Sequence, residues 1–273
     1  MPELPEVETI KRDLEKKLIG QKILAVTVHD PRVIRNCSSA AFIKNLKNKT
    51  FRDVSRRGKA IILSFTDPGY WIVQPMMTGQ LILRPRLDAS SHRFAKVTLR
   101  LSNGYDLNYN DQRLFGRLNF YRTLDNIEFF QSLGPEPFGG DFSLPWLKNA
   151  LAQRSVPIKN LLMHQNFVAG IGNIYASEIL FASGIKPTRP AKSLIKKEIE
   201  ILHKKTIEIL EEAIQCRGTS MNSYRDAGGQ KGNFIDRIQV YGREGQPCFK
   251  CQKNVERLVQ AGRSTFFCRR CQK

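Results

Sequence analysis

The chain lacks several things, and each absence removes a class of function. No apolar run reaches the roughly 20 residues that span a bilayer, and the start has no apolar signal-peptide core. No membrane-spanning helix is expected, and an intracellular, cytoplasmic protein is the default expectation. Long-period repeats and low-complexity tracts are missing, so nothing points to a repeat array. Histidine is scarce: His92, His164 and His203 show no ligand-like spacing to other histidines or carboxylates and read as structural or surface groups. Acidic residues are in deficit. Asp plus Glu total 25 against 44 Lys plus Arg, a net charge of +19. That imbalance calls for a polyanionic partner, and nucleic acid is the natural one. Released counterions would supply much of the affinity, so binding should weaken steeply with salt. A basic membrane-surface helix is the rival source of such charge, but here the basic residues are spread along the chain.

What is present fits two domains in 273 residues, with an ordinary hydrophobic fraction of 41%. Residues 4–18 carry Val7, Ile10, Leu14 and Leu18 at helical spacing, acidic groups early and basic ones late, with Gly20 as the stop. A helix starting this close to the terminus would anchor Pro2. Residues 22–125 hold short alternating runs, from KILAVTV to RLNFYR, separated by turn signals at Asp67-Pro68-Gly69, Thr78-Gly79 and Asn103-Gly104. They predict a β-sandwich or barrel. Residues 133–145, rich in Gly and Pro, read as a linker. Beyond them the periodicity is helical, with Gly184 and Gly218 as stops, and Asn222–Asn233 reads as a mobile glycine-bearing loop. The expected class is α+β and multidomain. An N-terminal helix and two-sheet β-sandwich fill 1–132, a linker 133–145, a helical domain 146–240 and a hairpin 241–273.

Cysteine usage is the sharpest local signal. Cys248-x-x-Cys251 and Cys268-x-x-Cys271 are separated by 16 residues, the spacing of a four-thiolate zinc site. Each pair would sit on a tight knuckle, with a β-hairpin between them. A closed four-cysteine shell leaves no open coordination position, so one structural Zn2+ is expected, without which this tail could hardly fold. From Arg243 to Lys273 there are eight Lys/Arg and two Glu, with Arg263 near the predicted hairpin tip. Such a hairpin suits contact with DNA phosphates. Cys37 and Cys216 stand alone and read as buried thiols.

The chemistry points to the leading end, MPELPEVE. Once Met1 is removed, Pro2 presents a secondary amine. A free α-amino group titrates near 7.7–8.0, so part of it is neutral and nucleophilic at pH 7. Such an amine can form an iminium with a sugar carbon, and Glu3 beside it can move protons. Arg56-Arg57-Gly58-Lys59 reads as a basic turn before the strand Ala60–Phe65, where Lys59 could meet phosphate. Gly170-Ile-Gly172-Asn173 precedes a helix. The glycines admit a phosphate to the backbone, and Asn173 is placed to cap the helix or to donate to that phosphate. In Asp111-Gln-Arg113-Leu-Phe115-Gly116 an arginine and an aromatic are two residues apart, a pair able to fill the gap left by an extruded base. Met77 offers another apolar plug. Taken singly, Met77 and Phe115 are residues a core would also take.

Together these segments resemble one family over essentially the whole chain. MPELPEVET at 1–9, RRGK at 56–59, MTG at 77–79, DQRLFG at 111–116, GIGNIYASE at 170–178, VYGREGQPC at 240–248 and the terminal CxxC pairs occur in order. The chain is similar to bacterial-type formamidopyrimidine-DNA glycosylases, which are 8-oxoguanine DNA glycosylase/AP lyases. The resemblance implies that Pro2 attacks C1′ of the damaged nucleotide, that Glu3 handles protons, that Glu6 organises the terminus and that Lys59 holds phosphate and assists base release. It implies that Met77, Arg113 and Phe115 fill the vacated duplex space. Lys159 and Asn173 would grip phosphates from a helix–two-turn–helix motif, and Arg263 would do so from the zinc hairpin held by Cys248, Cys251, Cys268 and Cys271. The loop Ser223–Phe234 would close over the everted base. The implied partner is damaged double-stranded DNA in a bacterial cytoplasm, bound by a monomer with no membrane and no nucleotide cofactor.

Two departures stand out. Leu114 occupies a position where many relatives carry a second basic residue, and Gln74-Pro75-Met76 replaces the frequent His-Leu-Gly. The sister enzyme endonuclease VIII, which prefers oxidised pyrimidines, usually starts Pro-Glu-Gly-Pro and lacks the Arg/Phe pair, so Leu4, Arg113 and Phe115 favour the purine enzyme. A catalytically inactive, zinc-containing DNA-binding protein is the alternative of another class. Intact Pro2, Glu3 and Lys59 argue against it.

Overall fold

A computed structural model describes residues 1–86, 94–221 and 223–273. His92 and Asn222 lie outside the described residues. Two compact units interleave along the chain. One comprises Met1–Glu128 and Cys216–Ile235, the other Phe129–Gln215 and Asp236–Lys273. Among the described residues, no helix is long and apolar enough to cross a membrane.

The first unit begins with α1 (Leu4–Leu18). Val7, Ile10, Leu14 and Leu18 are fully buried, each contributing about 1.5–3 kcal/mol of apolar burial. Proline in the first turn needs no N–H partner, and a Glu3/Glu6 capping box closes that end. Gly20, at φ +78°, turns the chain out of the helix. There follow β1 (Ile23–Val28), α2 (Ser39–Leu46), β2 (Phe51–Arg57), β3 (Ala60–Phe65), β4 (Tyr70–Gln74), β5 (Gln80–Pro85), β6 (Ala95–Leu101), β7 (Tyr105–Asn110) and β8 (Arg117–Tyr121). They form two four-stranded antiparallel sheets, ordered β1-β6-β7-β5 and β2-β3-β4-β8. The inward residues of both sheets join α1 and α2 in one core that includes Val54, Ile61, Leu63, Trp71, Val97, Leu107 and Leu118.

Among the elements that escaped the sequence reading are a strand and a helix of this unit. Strand β2 buries only Phe51 and Val54, three residues apart, because it is a sheet edge, so the alternation that marks a strand is absent. Helix α2 is a two-turn element whose cap, the Ser38 hydroxyl accepting the Ala41 N–H at 3.2 Å, outweighs its weak pattern. Thr78-Gly79 is not a hairpin turn. It lies where the chain leaves β4 and enters β5 of the other sheet.

A short helix, α3 (Glu128–Gln131), stands where the chain changes unit. The second unit contains α4 (Leu144–Leu151), α5 (Ile158–Met163), α6 (Asn173–Ser183), α7 (Lys196–Gln215) and a hairpin of β9 (Glu256–Gln260) and β10 (Arg263–Phe267). Residues 133–145 are packed rather than free. The Gly134 N–H donates to the Gln165 carbonyl, the Ala169 N–H donates to the Pro135 carbonyl, both at 2.9 Å, and Phe142 is buried. Helix α6 is apolar nearly all round and buried accordingly, ending at Gly184 in the left-handed conformation. Helix α7 stops at Gln215, short of Gly218. Cys37 and Cys216 are half-buried rather than buried, since neither lies on the inward stripe of a helix or strand.

Candidate active site and nucleic-acid interface

The leading end is fixed by residues more than two hundred positions away. Met1 is exposed, whereas Pro2, Glu3 and Glu6 are buried. One Glu6 carboxylate oxygen accepts the Glu3 N–H at 2.8 Å, and the other accepts the Thr219 N–H at 2.7 Å. Gly218, at φ +81°, backs directly onto this carboxylate, where an added Cβ would stand 2.7 Å from Oε1. Arg217 ion-pairs with Asp13 at 2.5 Å and Asp226 at 2.6 Å, and its carbonyl accepts the Tyr224 hydroxyl at 3.1 Å. Cys216–Ile235 thus belongs to the same compact unit as the N-terminus. The one sequence signal for this clamp was a cluster of glycines.

Lys59 follows Gly58 in the tight turn joining β2 and β3, so Arg56 and Arg57 lie on a strand and not in the turn. Arg56 is structural. Its Nε donates to Glu8 at 3.0 Å and its Nη1 to the Gly58 carbonyl at 2.9 Å, tying the turn to α1. Burial works to raise the Glu8 carboxyl, but hydrogen bonds from Arg56 and Arg12 outweigh it and hold the group below its ordinary value.

Met77, Arg113 and Phe115 form an exposed stack. Met77 is 40% and Phe115 46% exposed, the reverse of core residues. The Arg113 guanidinium lies 4.6 Å from the Phe115 ring centroid, and its Nη1 is 3.4 Å from the Met77 sulfur. Each loop carries a non-glycine residue in the left-handed region, Met76 at φ +53° and Leu114 at φ +58°. Such a conformation costs about 1–3 kcal/mol and persists only where the surroundings impose it. Leu114 turns against the core, and its carbonyl accepts from Arg35 at 3.2 Å. An apolar side chain fits that place, which accounts for the missing second cation.

The loop expected to be mobile is anchored at several points. The Ser223 hydroxyl donates to the Met77 carbonyl at 3.3 Å, and Gln80 donates to the Ser223 carbonyl. The Leu83 N–H reaches the Ala227 carbonyl at 2.8 Å. Gly232 leaves no room for a side chain, since a Cβ would lie 2.3 Å from both the Arg217 and Gly218 carbonyls.

In the second unit, Lys159 is 1% exposed. Its ammonium donates to Asn173 Oδ1 at 2.6 Å, Thr265 Oγ1 at 2.7 Å and the Ser264 carbonyl at 3.2 Å. Three internal acceptors engage the Lys159 charge, and it holds Asn173 and β10 in place. Asn173 is the first residue of α6 and makes no cap, because Gly172 occupies the cap position. Its Nδ2 donates to the Ser264 carbonyl at 3.0 Å. Arg263 is exposed beside the Ala261-Gly262 turn, on a cavity of 200 Å³ shared with His164 and Gln165. The sequence reading gave Glu178 no role. It is buried and accepts the N–H groups of Gln239, Val240 and Tyr241 at 2.8, 3.0 and 2.8 Å, which seats the approach to the hairpin on α6.

The four terminal cysteines converge, their sulfurs all within 4.8 Å of one another. Cys251 and Cys268 are 3.4 Å apart, and Cys248 and Cys271 are 3.9 Å apart. A tetrahedral zinc with Zn–S near 2.3 Å needs sulfurs about 3.8 Å apart, so the donor set fits one zinc ion.

Known proteins match this chain from end to end. The formamidopyrimidine-DNA glycosylase N-terminal domain matches residues 1–118, the formamidopyrimidine-DNA glycosylase H2TH domain residues 133–225, and the zinc finger found in FPG and IleRS residues 245–273. The formamidopyrimidine-DNA glycosylase of Desulfitobacterium hafniense is 39% identical over 274 residues, covering all of both chains. That of an Enterobacter strain is 41% identical over 274 residues, again with full coverage of both. Among solved structures, a Lactococcus lactis FPG variant in complex with Fapy-dG containing DNA superposes with a TM-score of 0.93 at 35% identity, covering 100% of each chain. The MutM (FPG) protein of Thermus thermophilus gives 0.88 at 37% identity, covering 99% of this chain and 98% of that one.

Proposed function

The chain belongs to the formamidopyrimidine-DNA glycosylase family, and from that premise we propose how its residues remove oxidised purines, 8-oxoguanine and formamidopyrimidines, from duplex DNA in base excision repair. The buried, doubly tethered Glu3–Glu6 pair behind Pro2 carries this reading. Met1 is exposed and open to removal, which leaves the Pro2 nitrogen as a secondary amine. That nitrogen attacks C1′, the bond to the base breaks, and the sugar ring opens to an iminium. Glu3 moves the protons. The iminium acidifies the C2′ hydrogen, so β-elimination expels the 3′ phosphate and δ-elimination the 5′ phosphate. A one-nucleotide gap with phosphate at both ends remains.

A base inside the stack is beyond reach of such an amine, so the nucleotide must first be everted. Met77 and Phe115 enter the space it leaves, with Arg113 facing the orphaned cytosine. Lys59 holds phosphate near the lesion. Asn173 and Arg263 contact the backbone, with Lys159 acting through Asn173. On this reading residues 1–132, completed by 216–235, carry the chemistry, 133–145 connect, the rest of 146–240 carries the helix–two-turn–helix and 241–273 the zinc hairpin. The protein works as a monomer, in the bacterial cytoplasm on nucleoid DNA.

Borohydride trapping tests the assignment. An 8-oxoguanine·C duplex should give a covalent adduct that maps to Pro2. An adduct on another residue would overturn the nucleophile. Trapping confined to thymine glycol would instead indicate the endonuclease VIII type, and no trapping on either lesion would indicate an inactive DNA binder.

A further inference from the structure

Met77 and the Arg113–Phe115 pair come from two separate loops, β4 to β5 and β7 to β8, each crossing from one sheet to the other, yet one buried group holds both. Asp111 is fully buried. Its Oδ1 accepts the Thr78 hydroxyl at 2.5 Å and the Arg113 N–H at 3.2 Å. Its Oδ2 accepts the Gly116 N–H at 2.7 Å and faces the Tyr109 hydroxyl at 3.4 Å. The Thr78 oxygen in turn accepts the Arg113 N–H at 3.1 Å, closing a ring of contacts across the two loops.

Tyr109 supplies the floor beneath both. A Cβ at Gly79 would lie 2.5 Å from its hydroxyl, and one at Gly116 would lie 1.6 Å from it. Burial, with the Asp111 charge beside it, keeps that hydroxyl protonated. Each loop also has its left-handed residue, Met76 and Leu114, next to a stack member. Neither loop would hold that backbone without something fixing it.

We propose that Asp111, acting through Thr78, is a positioning latch that makes the Met77 loop and the Arg113–Phe115 loop enter the duplex as one preassembled body. The inference rests on the assignment of those three side chains to the vacated space. It adds what couples them: a carboxylate whose hydrogen bonds span both loops and which touches no reacting atom.

The test uses near-isosteric substitutions in the full-length, zinc-loaded protein. Thr78→Val removes the bridging hydroxyl at a half-buried site and spares the core. Asp111→Asn replaces one acceptor by a donor facing donors. Each should slow excision from an 8-oxoguanine·C duplex about tenfold or more through kcat, since small misplacements of positioned groups have such effects. Each should also diminish the fluorescence rise of 2-aminopurine placed beside the lesion. Cleavage of a single-stranded abasic oligonucleotide needs no wedge and should stay within about twofold. Because the residues act as a unit, the double variant should be no slower than the worse single one. Equal losses on both substrates, additive losses, or wild-type duplex excision by Thr78→Val would overturn the latch. Met77→Ala and Phe115→Ala run alongside. If they slow duplex excision while Thr78→Val does not, the latch alone fails. If they too excise at the wild-type rate, the wedge assignment fails and the latch with it.

Discussion

Pro2 and Arg263 both lie on short segments, but opposite means hold those segments in place. At α1, the fixing groups, reached by the chain only after building another unit, are hydrogen bonds and an ion pair from Arg217, Thr219 and Tyr224, with Gly218 packed on Glu6. In the hairpin, the fixing groups are Cys248, Cys251, Cys268 and Cys271, all within the same tail. The hairpin's own apolar cluster is small, comprising Phe181, Val240, Val255 and Phe266 with the buried cysteines. A structural zinc contributes about 10–16 kcal/mol to folding in such modules and replaces the missing core. The N-terminal segment has an ample core but needs its polar atoms set to within a fraction of an ångström. Metal suits a segment short of apolar surface, and directional hydrogen bonds suit one short of positional freedom.

The largest effect should come from the hairpin. Cys248→Ser, or removal of zinc by a chelator, should weaken duplex binding about thirtyfold or more, as lost phosphate contacts do. Metal content and fluorescence anisotropy measure it. Borohydride trapping on a single-stranded abasic oligonucleotide should survive, because the Pro2 cluster does not depend on the metal. If trapping is lost too, the two regions are not independently held, and the contrast drawn between them breaks.

An intermediate effect is expected from Gly218→Ala. The new Cβ meets the Glu6 carboxylate in a backbone conformation that alanine adopts poorly. Excision should fall about tenfold or more with duplex affinity little changed. Single-turnover rates beside binding isotherms separate the two. Wild-type excision would mean that the Glu6 tether does not set the nucleophile.

The smallest effect concerns Glu8, which ties α1 to the Lys59 turn through Arg56. Its folded carboxyl titrates below the unfolded one, so its stabilisation is present above about pH 4.3 and lost as pH falls through the folded value. Glu8→Gln should therefore cost about 1 kcal/mol at pH 7 and almost nothing near pH 2. Urea unfolding at both values reads it, and a deficit that persisted in acid would point to packing instead of charge.

Much of this was legible in the chain because the signals are local. Val7, Ile10, Leu14 and Leu18 mark α1 by spacing alone, and the paired cysteines mark their ligand by theirs. Strand β2 was not legible, since an edge strand buries too little to show a period. The surroundings of Lys159 were not legible either: its phosphate role was expected from the family resemblance alone, and the partners of its ammonium, Asn173, Ser264 and Thr265, come from other parts of the second unit.

Residue order by itself determined the chemistry available here: an imino acid one residue from the start, a glutamate after it, a basic surface and a four-sulfur metal set. Tertiary structure alone decided which charged groups are buried and which loops and termini they hold in place. Glu6, Asp111, Glu178 and Lys159 are ordinary charged residues on paper. Each is held by at least one partner far away in sequence, Thr219 for Glu6, Thr78 for Asp111, Gln239 for Glu178 and Thr265 for Lys159, because a buried charge persists only where folding brings it partners.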